Sequence, residues 1–325
     1  MRGKNMKLKT QLTFLFMVIF AFILFNYGIY SNFTVRYIDM SGDLMKEKSL
    51  DIDQYLPFDE SSKIIQQKAH FQLSGDLPVL DGATALLPLY SAFMNATYPS
   101  GSSEFDRHDF SSSSYLHKRG TSGAYKAIID GTADIIFVAS PSEQQKQYAE
   151  SAGKHLIYVP IGYEAFVFIV NAKNTVDSLT VEQIRGIYSG TYTNWQQLGG
   201  KNAAINALQR VENSGSQTAM ISFMENTPLR KRVASLFGQS IGYSFRYYVS
   251  DLSGKDNVKM LALNNVYPTE ENIRNETYPI TDCFYAVYSA DNPNENVNLL
   301  LDWILSEQGQ NIVNETGYVN LSKTQ

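Results

Sequence analysis

Three segments of the chain share one pattern, in which a strand or loop is followed by hydroxyl and glycine residues and then by a helix. They are Asp81-Gly82-Ala83-Thr84, Thr121-Ser122-Gly123 and Ser214-Gly215-Ser216. One such start is usually an ordinary helix cap. Helix N-termini carry unpaired N–H groups and a partial positive charge, however, and in open α/β sheets ligands lie where these helices begin. The repetition therefore predicts an α/β fold with one shared anion site.

The third segment also follows an arginine. Arg210 lies four residues before Ser214, and its planar guanidinium can bind an oxyanion through two hydrogen bonds at once. Either Ser214 or Ser216 can cap the helix, and Gly215 lets the backbone approach a ligand closely. This segment is therefore predicted to bind the anion most strongly.

Composition excludes several other functions. The 325 residues suggest about two domains, and 44% of them are hydrophobic, as in a folded protein. The net charge of −5 and the lack of a basic stripe argue against nucleic-acid binding. The single cysteine, Cys283, excludes an internal disulfide, and His70, His108, His117 and His155 show no metal-ligand spacing. We expect neither a cofactor nor a metal.

The N-terminus has the pattern of a membrane anchor. Arg2, Lys4, Lys7 and Lys9 precede an almost unbroken apolar run at residues 12–25, which predicts one transmembrane helix with its N-terminus in the cytoplasm. Residues 1–30 would form the cytoplasmic tip and the anchor. A cleaved signal peptide is the alternative, but no small-x-small cleavage site follows the run.

Strands alternate with helices along the rest of the chain, which predicts mixed, mainly parallel sheets. Residues 134–138 form a continuous apolar run that is typical of a buried parallel strand. Residues 142–153 are predicted to form a polar helix. Residues 155–160 and 164–170 are predicted to form two separate strands.

From about Leu77 to Leu321 the chain resembles the phosphate-binding proteins of ABC transporters, which have the periplasmic-binding-protein fold of the second type. The resemblance rests on an ordered set of motifs: Asp81-Gly82-Ala83-Thr84, Thr121-Ser122-Gly123-Ala124-Tyr125-Lys126, Leu179-Thr180 through Asn194-Trp195, Arg210-x-Glu212-x-Ser214-Gly215-Ser216, and Gly309-Gln310 with Gly317-Tyr318-Val319. The single motifs are modestly specific, whereas the ordered set is strongly so. The resemblance implies a two-lobed α/β fold.

The resemblance also implies a set of phosphate contacts. Hydroxyl groups and backbone N–H groups would come from the helix starts, Arg210 would clamp two phosphate oxygens, and Glu212 would steady this arginine. The implied phosphate-binding residues are Thr84, Thr121, Ser122, Arg210, Ser214, Gly215 and Ser216, with Ala83, Ser140 and Glu212 in support.

One position departs from the family. Where the resembling proteins carry an aspartate that accepts the proton of bound phosphate, this chain has Pro141, directly after Ala139-Ser140. A site that lacks this acceptor distinguishes hydrogen phosphate from sulfate less sharply. Asp134, Glu143 and Asp81 are the possible substitutes. Phosphate and another tetrahedral oxyanion both stay open as ligands.

The resemblance implies a domain organisation and a function. Residues 31–76 would form an extracytoplasmic stem, residues 77–162 and 282–325 lobe I, and residues 163–281 lobe II. The two lobes would close over the anion through a hinge near residues 164–170 and 283–288. The expected function is a monomeric extracytoplasmic solute-binding protein that captures phosphate for an ABC-type importer and is not an enzyme.

Two other classes of function are possible. A membrane-anchored sensory or partner-binding module would keep the fold without delivering solute, and the anchor and Pro141 favour it. A hydrolase would use Ser122, Ser214 or Ser216 as its nucleophile, but none of these serines lies in a Gly-x-Ser-x-Gly elbow.

Overall fold

The structure is a computed structural model, and it describes residue 13 and residues 15–27, 50–107, 109–230, 238–252 and 257–321. Residues 1–12, 14 and 28–30 of the predicted cytoplasmic tip and anchor, and residues 31–49 of the predicted stem, lie outside this part of the chain. Residues 15–27 are helical, and their large apolar side chains are exposed. No helix among the described residues is both long enough and apolar enough to cross a membrane.

Helices and short strands alternate along the described chain. The α-helices are α1 (Leu87–Thr97), α2 (Gly120–Ile129), α3 (Glu143–Ser151), α4 (Val181–Ser189), α5 (Gly215–Met224), α6 (Glu270–Arg274), α7 (Asn296–Leu305) and α8 (Glu307–Thr316). The strands are β1 (Leu80–Gly82), β2 (Phe105–Asp106), β3 (Asp109–Phe110), β4 (Ile135–Val138), β5 (Leu156–Asn171), β6 (Ser178–Leu179), β7 (Ile205–Ala207), β8 (Gln239–Phe245), β9 (Val258–Met260), β10 (Ala262–Leu263) and β11 (Thr281–Ser289). Short 3₁₀ turns lie at Ile52–Tyr55, Thr84–Leu86 and Trp195–Leu198.

The main sheet has seven strands in the order β1-β4-β11-β5-β8-β7, and β9 pairs with β5. A mixed sheet was expected, but the prediction of mainly parallel pairing is wrong. Among the described pairs of this sheet, only β1 with β4 and β7 with β8 are parallel. The two long strands β5 and β11 run antiparallel to all their partners, and they lie in the middle of the sheet.

Strand β5 is one continuous strand of 16 residues, so the prediction of two strands is wrong. Pro160 and Gly162 break the apolar pattern, which made the sequence look interrupted. In the pairing with β11, Tyr285 lies opposite Pro160 and Phe284 opposite Gly162, so that the register shifts at this point. A β-bulge of this kind lets a strand continue past a proline, which has no backbone N–H to donate to the neighbouring strand.

Two large apolar clusters lie at the two ends of the long strands. The first cluster surrounds α1, where Leu89, Tyr90 and Phe93 are completely buried, and it includes α7 and α8. The second cluster surrounds the distal half of β5, with Phe168 completely buried, and includes α4, α5 and Trp195. A smaller third cluster packs α2 against β4.

Part of the predicted stem packs against the first cluster. Ile52, Ile64 and Leu73 are buried in it, and the Leu73 N–H donates to the Thr97 carbonyl at 2.7 Å. These residues are spaced irregularly between polar ones, so the sequence shows neither a helical nor a strand period that would predict their burial. Residues 50–76 therefore lie along α1 in contact with the core.

We predict that two neighbouring leucines of α7 differ sharply in their contribution to stability. Leu300 is completely buried in the first cluster, whereas Leu299 is 45% exposed. Replacing a buried leucine by alanine costs about 2–5 kcal/mol, and truncation at the surface changes the stability by about 0.5 kcal/mol at most. Leu300→Ala should lower the urea midpoint measured by circular dichroism, while Leu299→Ala leaves it near the wild-type value. Equal midpoints would contradict this packing of α7.

Candidate anion-binding site

The three predicted helix starts surround one cavity of about 230 Å³. Residues from both large clusters contribute to its wall. The predicted site residues that line it are Ala83, Thr84, Thr121, Ser122, Arg210, Glu212, Ser214, Gly215 and Ser216. Ser140 is not among the lining residues and lies just after β4. Three distant parts of the chain thus meet at one place.

Strand β1 carries the first segment to the cavity. The Ala83 N–H donates to the Phe137 carbonyl at 2.8 Å. A side chain at Gly82 would begin 2.7 Å from the Tyr90 ring and from the Phe137 carbonyl oxygen, so glycine is required for this approach. Thr84, which is 9% exposed, then starts the 3₁₀ turn that leads into α1.

The second segment lies in the first turn of α2 and not before the helix, because α2 already begins at Gly120, whose φ of +71° favours glycine. No described side chain caps this helix, so the N–H groups of its first turn remain for another acceptor. Arg119 donates from Nη1 to Asp81 Oδ2 at 2.7 Å and from its backbone N–H to Asp81 Oδ1 at 2.9 Å. Because Asp81 is completely buried, this ion pair fixes the start of α2 against the end of β1.

The third segment is capped by Ser214. Its Oγ accepts from the Gln217 N–H at 3.3 Å and donates to the Val211 carbonyl at 2.8 Å. The sequence left the cap open between Ser214 and Ser216, and the structure assigns it to Ser214. Gly215 and Ser216 are buried at the cavity wall.

The backbone of Arg210 is held by two buried side chains. Its N–H lies 3.0 Å from Gln217 Oε1 and 3.0 Å from Tyr243 Oη, and Tyr243 also donates to Gln217. Gln217 is 5% exposed and Tyr243 is completely buried. The second cluster therefore determines where Arg210 enters the cavity wall, which lowers the entropic cost of binding a ligand there.

The loop that carries Arg210 also contacts the start of α3. Ser142 Oγ donates to Asn213 Oδ1 at 2.9 Å, Gln145 Nε2 donates to the Asn213 carbonyl at 3.3 Å, and Asn213 Nδ2 donates to Gln144. Asn213 has a φ of +60°, a conformation that asparagine tolerates better than most residues. These bonds join the two sides of the cavity.

Three carboxylates line the cavity: Glu164, Glu212 and Asp282. The Asp282 side chain is open to the cavity and counts as exposed. The surrounding protein nevertheless removes part of the water around its carboxyl, and this desolvation raises the carboxyl pKa above the ordinary value. Ser140 Oγ donates to Asp282 Oδ2 at 3.3 Å. Ser140 is therefore linked to the cavity through Asp282.

The carboxylates considered as substitutes for the missing aspartate lie elsewhere. Asp81 is engaged with Arg119, and Asp134 accepts from the Val79 N–H at 2.8 Å. Glu143 forms an ion pair with Lys146 at the surface. None of the three is among the residues that line the cavity.

Sequence reasoning missed three charged residues of the cavity wall, Arg119, Glu164 and Asp282. The position of Arg119 directly before Gly120 was a usable signal. Asp282 is separated from Ser140 by 142 positions. Only the pairing of β11 with β4 and β5 brings it to the cavity.

A profile of the PBP superfamily domain matches residues 78–308. The chain belongs to the PBP superfamily. Phosphate-binding protein PstS of Borreliella burgdorferi, a relative, is 26% identical over 215 residues, which cover 59% of this chain and 76% of the relative. The two-lobed α/β fold predicted from the sequence is confirmed by this membership.

Solved structures show the same fold. A Clostridium perfringens protein described as a phosphate ABC transporter substrate-binding protein was solved with bound phosphate; it matches with a TM-score of 0.56 and 26% identity over 75% of this chain and 98% of that one. An ABC-type phosphate transport receptor from Vibrio cholerae matches with a TM-score of 0.52 and 21% identity, over 74% of this chain and 98% of that one. At 21% identity, the similarity to the Vibrio cholerae structure concerns the fold alone.

We predict that Asn213→Gly opens the cavity of this PBP-superfamily protein. Glycine keeps the backbone conformation but removes the side-chain bonds to Ser142 and Gln144, which contribute about 0.5–1.5 kcal/mol each. The radius of gyration of the ligand-free protein, measured by small-angle X-ray scattering, should increase. Asn265→Gly is the matched control, because Asn265 has a φ of +63° and is exposed away from the cavity. Identical scattering from both variants would contradict a role of Asn213 in closure.

Proposed function

We propose that this protein captures inorganic phosphate between two lobes outside the cytoplasm and delivers it to an ABC-type importer. The observation that carries the proposal is the convergence of three helix starts and Arg210 on one cavity. Backbone N–H groups and helix dipoles are suited to a small anion that has lost its water. The proposed ligand contacts are those expected from the sequence.

Local donors, and not a positive surface, would bind the phosphate. The chain carries a net charge of −5, so attraction must come from groups placed at the site. Hydrogen bonds to a charged group contribute about 1.5–3 kcal/mol each. Arg210 lies in the wall and supplies positive charge close to the helix starts, whereas the charge of Arg119 is paired with Asp81.

The comparisons support phosphate as the ligand. The Borreliella burgdorferi relative is named a phosphate-binding protein, and the Clostridium perfringens structure contains bound phosphate. Four of the five ordered motifs that carry the resemblance, from Asp81 to Ser216, lie within the residues 78–308 that match the PBP superfamily domain.

We propose binding and not catalysis. A serine nucleophile is usually activated by an adjacent histidine or other nitrogen base, and the described lining residues include no histidine or lysine. The Ser214 hydroxyl is already engaged with Gln217 and Val211. A hydrolase mechanism therefore has little support from this cavity.

The proposed lobes are residues 77–162 with 282–325, and residues 163–281. The second apolar cluster falls within the second lobe except for Val319, which supports this division. Strands β5 and β11 would form the hinge, because β5 runs from one cluster to the other and β11 begins directly after Ile280, which packs against the second cluster. We also propose that the protein acts as a monomer, as its resemblance to this class of binding protein implies.

We predict that Arg210→Ala weakens phosphate binding by about a hundredfold or more, since a bidentate arginine contributes two charge-assisted hydrogen bonds. Calorimetric titration of the full-length chain in detergent would measure the change. Arg185→Ala is the matched control, because Arg185 pairs with Glu225 at 2.6 Å and is not part of the cavity wall. Thermal melts would show whether both variants remain folded.

The possible results separate the alternatives. Unchanged affinity in a folded Arg210→Ala variant would show that Arg210 is not a ligand. A wild-type chain that binds no phosphate would overturn the proposed function and favour the sensory or partner-binding module.

We also propose that the N-terminal segment anchors the protein in the membrane, with residues 1–30 as the cytoplasmic tip and the anchor. The helical residues 15–27 present exposed apolar side chains, including Phe16 at 72% and Phe22 at 67% exposure. Such a surface requires an apolar environment. The basic residues that precede it favour an N-terminus inside the cell.

For this anchor we predict that the full-length chain stays in the membrane pellet after an alkaline carbonate wash. Protease added to intact spheroplasts should digest the lobes, since they would lie outside the cytoplasm. A soluble product with a shortened N-terminus would instead indicate a cleaved signal peptide.

A further inference from the structure

We propose that Asp282 selects hydrogen phosphate over sulfate in this cavity, an inference that rests on the proposed function. Selection between these two anions requires a group that accepts the proton of phosphate. Pro141 stands where the resembling proteins have an aspartate, and the substitutes considered from the sequence lie away from the cavity. The structure brings a carboxylate to the cavity from a different strand.

The position of Asp282 is the first argument. It lies on β11 directly opposite Glu164 of β5, in the region where the two long strands pass between the clusters. Its Oδ2 accepts from Ser140 Oγ at 3.3 Å, and Ser140 immediately precedes Pro141. Asp282 thus places a carboxylate beside the end of β4, next to the position that lacks one.

The hydrogen-bonding capacity of Asp282 is the second argument. An ionised carboxylate can accept about four hydrogen bonds, and the described donors to Asp282 are Ser140 Oγ and the Cys283 N–H at 2.8 Å. Glu164, in contrast, accepts backbone N–H groups from Ala165 and Tyr247 at 2.9 and 3.2 Å and is 6% exposed. Asp282 therefore has room for a ligand proton.

The chemistry of the two anions is the third argument. Hydrogen phosphate carries a proton that it can donate to an ionised carboxylate, whereas sulfate carries none near neutral pH. Sulfate would place its oxygens against the carboxylate without a hydrogen between them, and an unpaired contact between acceptors is costly in a partly dehydrated site. The raised pKa of Asp282 comes from burial, which also strengthens this repulsion.

The test compares phosphate and sulfate by calorimetric titration of the full-length chain in detergent at pH 8. Asp282→Asn supplies an amide that can donate to sulfate, so the ratio of phosphate to sulfate affinity should fall by about tenfold or more. Asp282→Ala should lose phosphate affinity without gaining sulfate affinity. Asp302→Asn, an exposed carboxylate on α7, is the matched control and should keep the wild-type ratio.

Each outcome supports or overturns the inference. A folded Asp282→Asn variant that keeps the wild-type ratio would overturn the role of Asp282 and leave the proposed function intact. A wild-type chain that binds both anions equally would also overturn it, because the site would then have no selection to explain. A wild-type chain that binds neither anion would overturn the proposed function together with this inference.

Discussion

The antiparallel pairing of β5 with β11 is the interaction on which the cavity depends. The register runs from Ala165 opposite Thr281 to Leu156 opposite Ser289, and it ends beside the second apolar cluster, in which Ala165 is buried. The pairing is tight: a side chain at Gly162 would begin 2.4 Å from the Phe284 ring. Without this pair of strands, the helix starts that come from the two clusters would not be held beside one cavity.

The same two strands determine the electrostatics of the cavity. Glu164 and Asp282 face each other across them, while Arg119 and Arg210 enter the wall from loops on either side. Arg119 is tied to a completely buried carboxylate, Asp81, and the backbone of Arg210 is tied to Gln217 and Tyr243. Because packing sets these positions before a ligand arrives, little reorganisation is needed on binding.

The local sequence pattern was sufficient to predict which helices carry the site residues. Hydroxyl and glycine residues before apolar helical runs located the starts at Thr84, Thr121 and Ser214, since caps and turns depend on near neighbours in the chain. The same reasoning failed for β5, where Pro160 looked like a break and a bulge absorbs it. It also failed for the sheet, because continuous apolar runs do not distinguish a buried parallel strand from an antiparallel strand that is covered on both faces.

Sequence by itself determined the α/β class, the family resemblance and the residues at each helix start, because short-range chemistry and motif order specify them. Tertiary structure alone decided that Ile52 and Ile64 join the first cluster, that Arg119 pairs with Asp81 and that Asp282 reaches Ser140. The physical reason is that these contacts join residues far apart in the chain. Strand pairing and packing, which no local period encodes, bring them together.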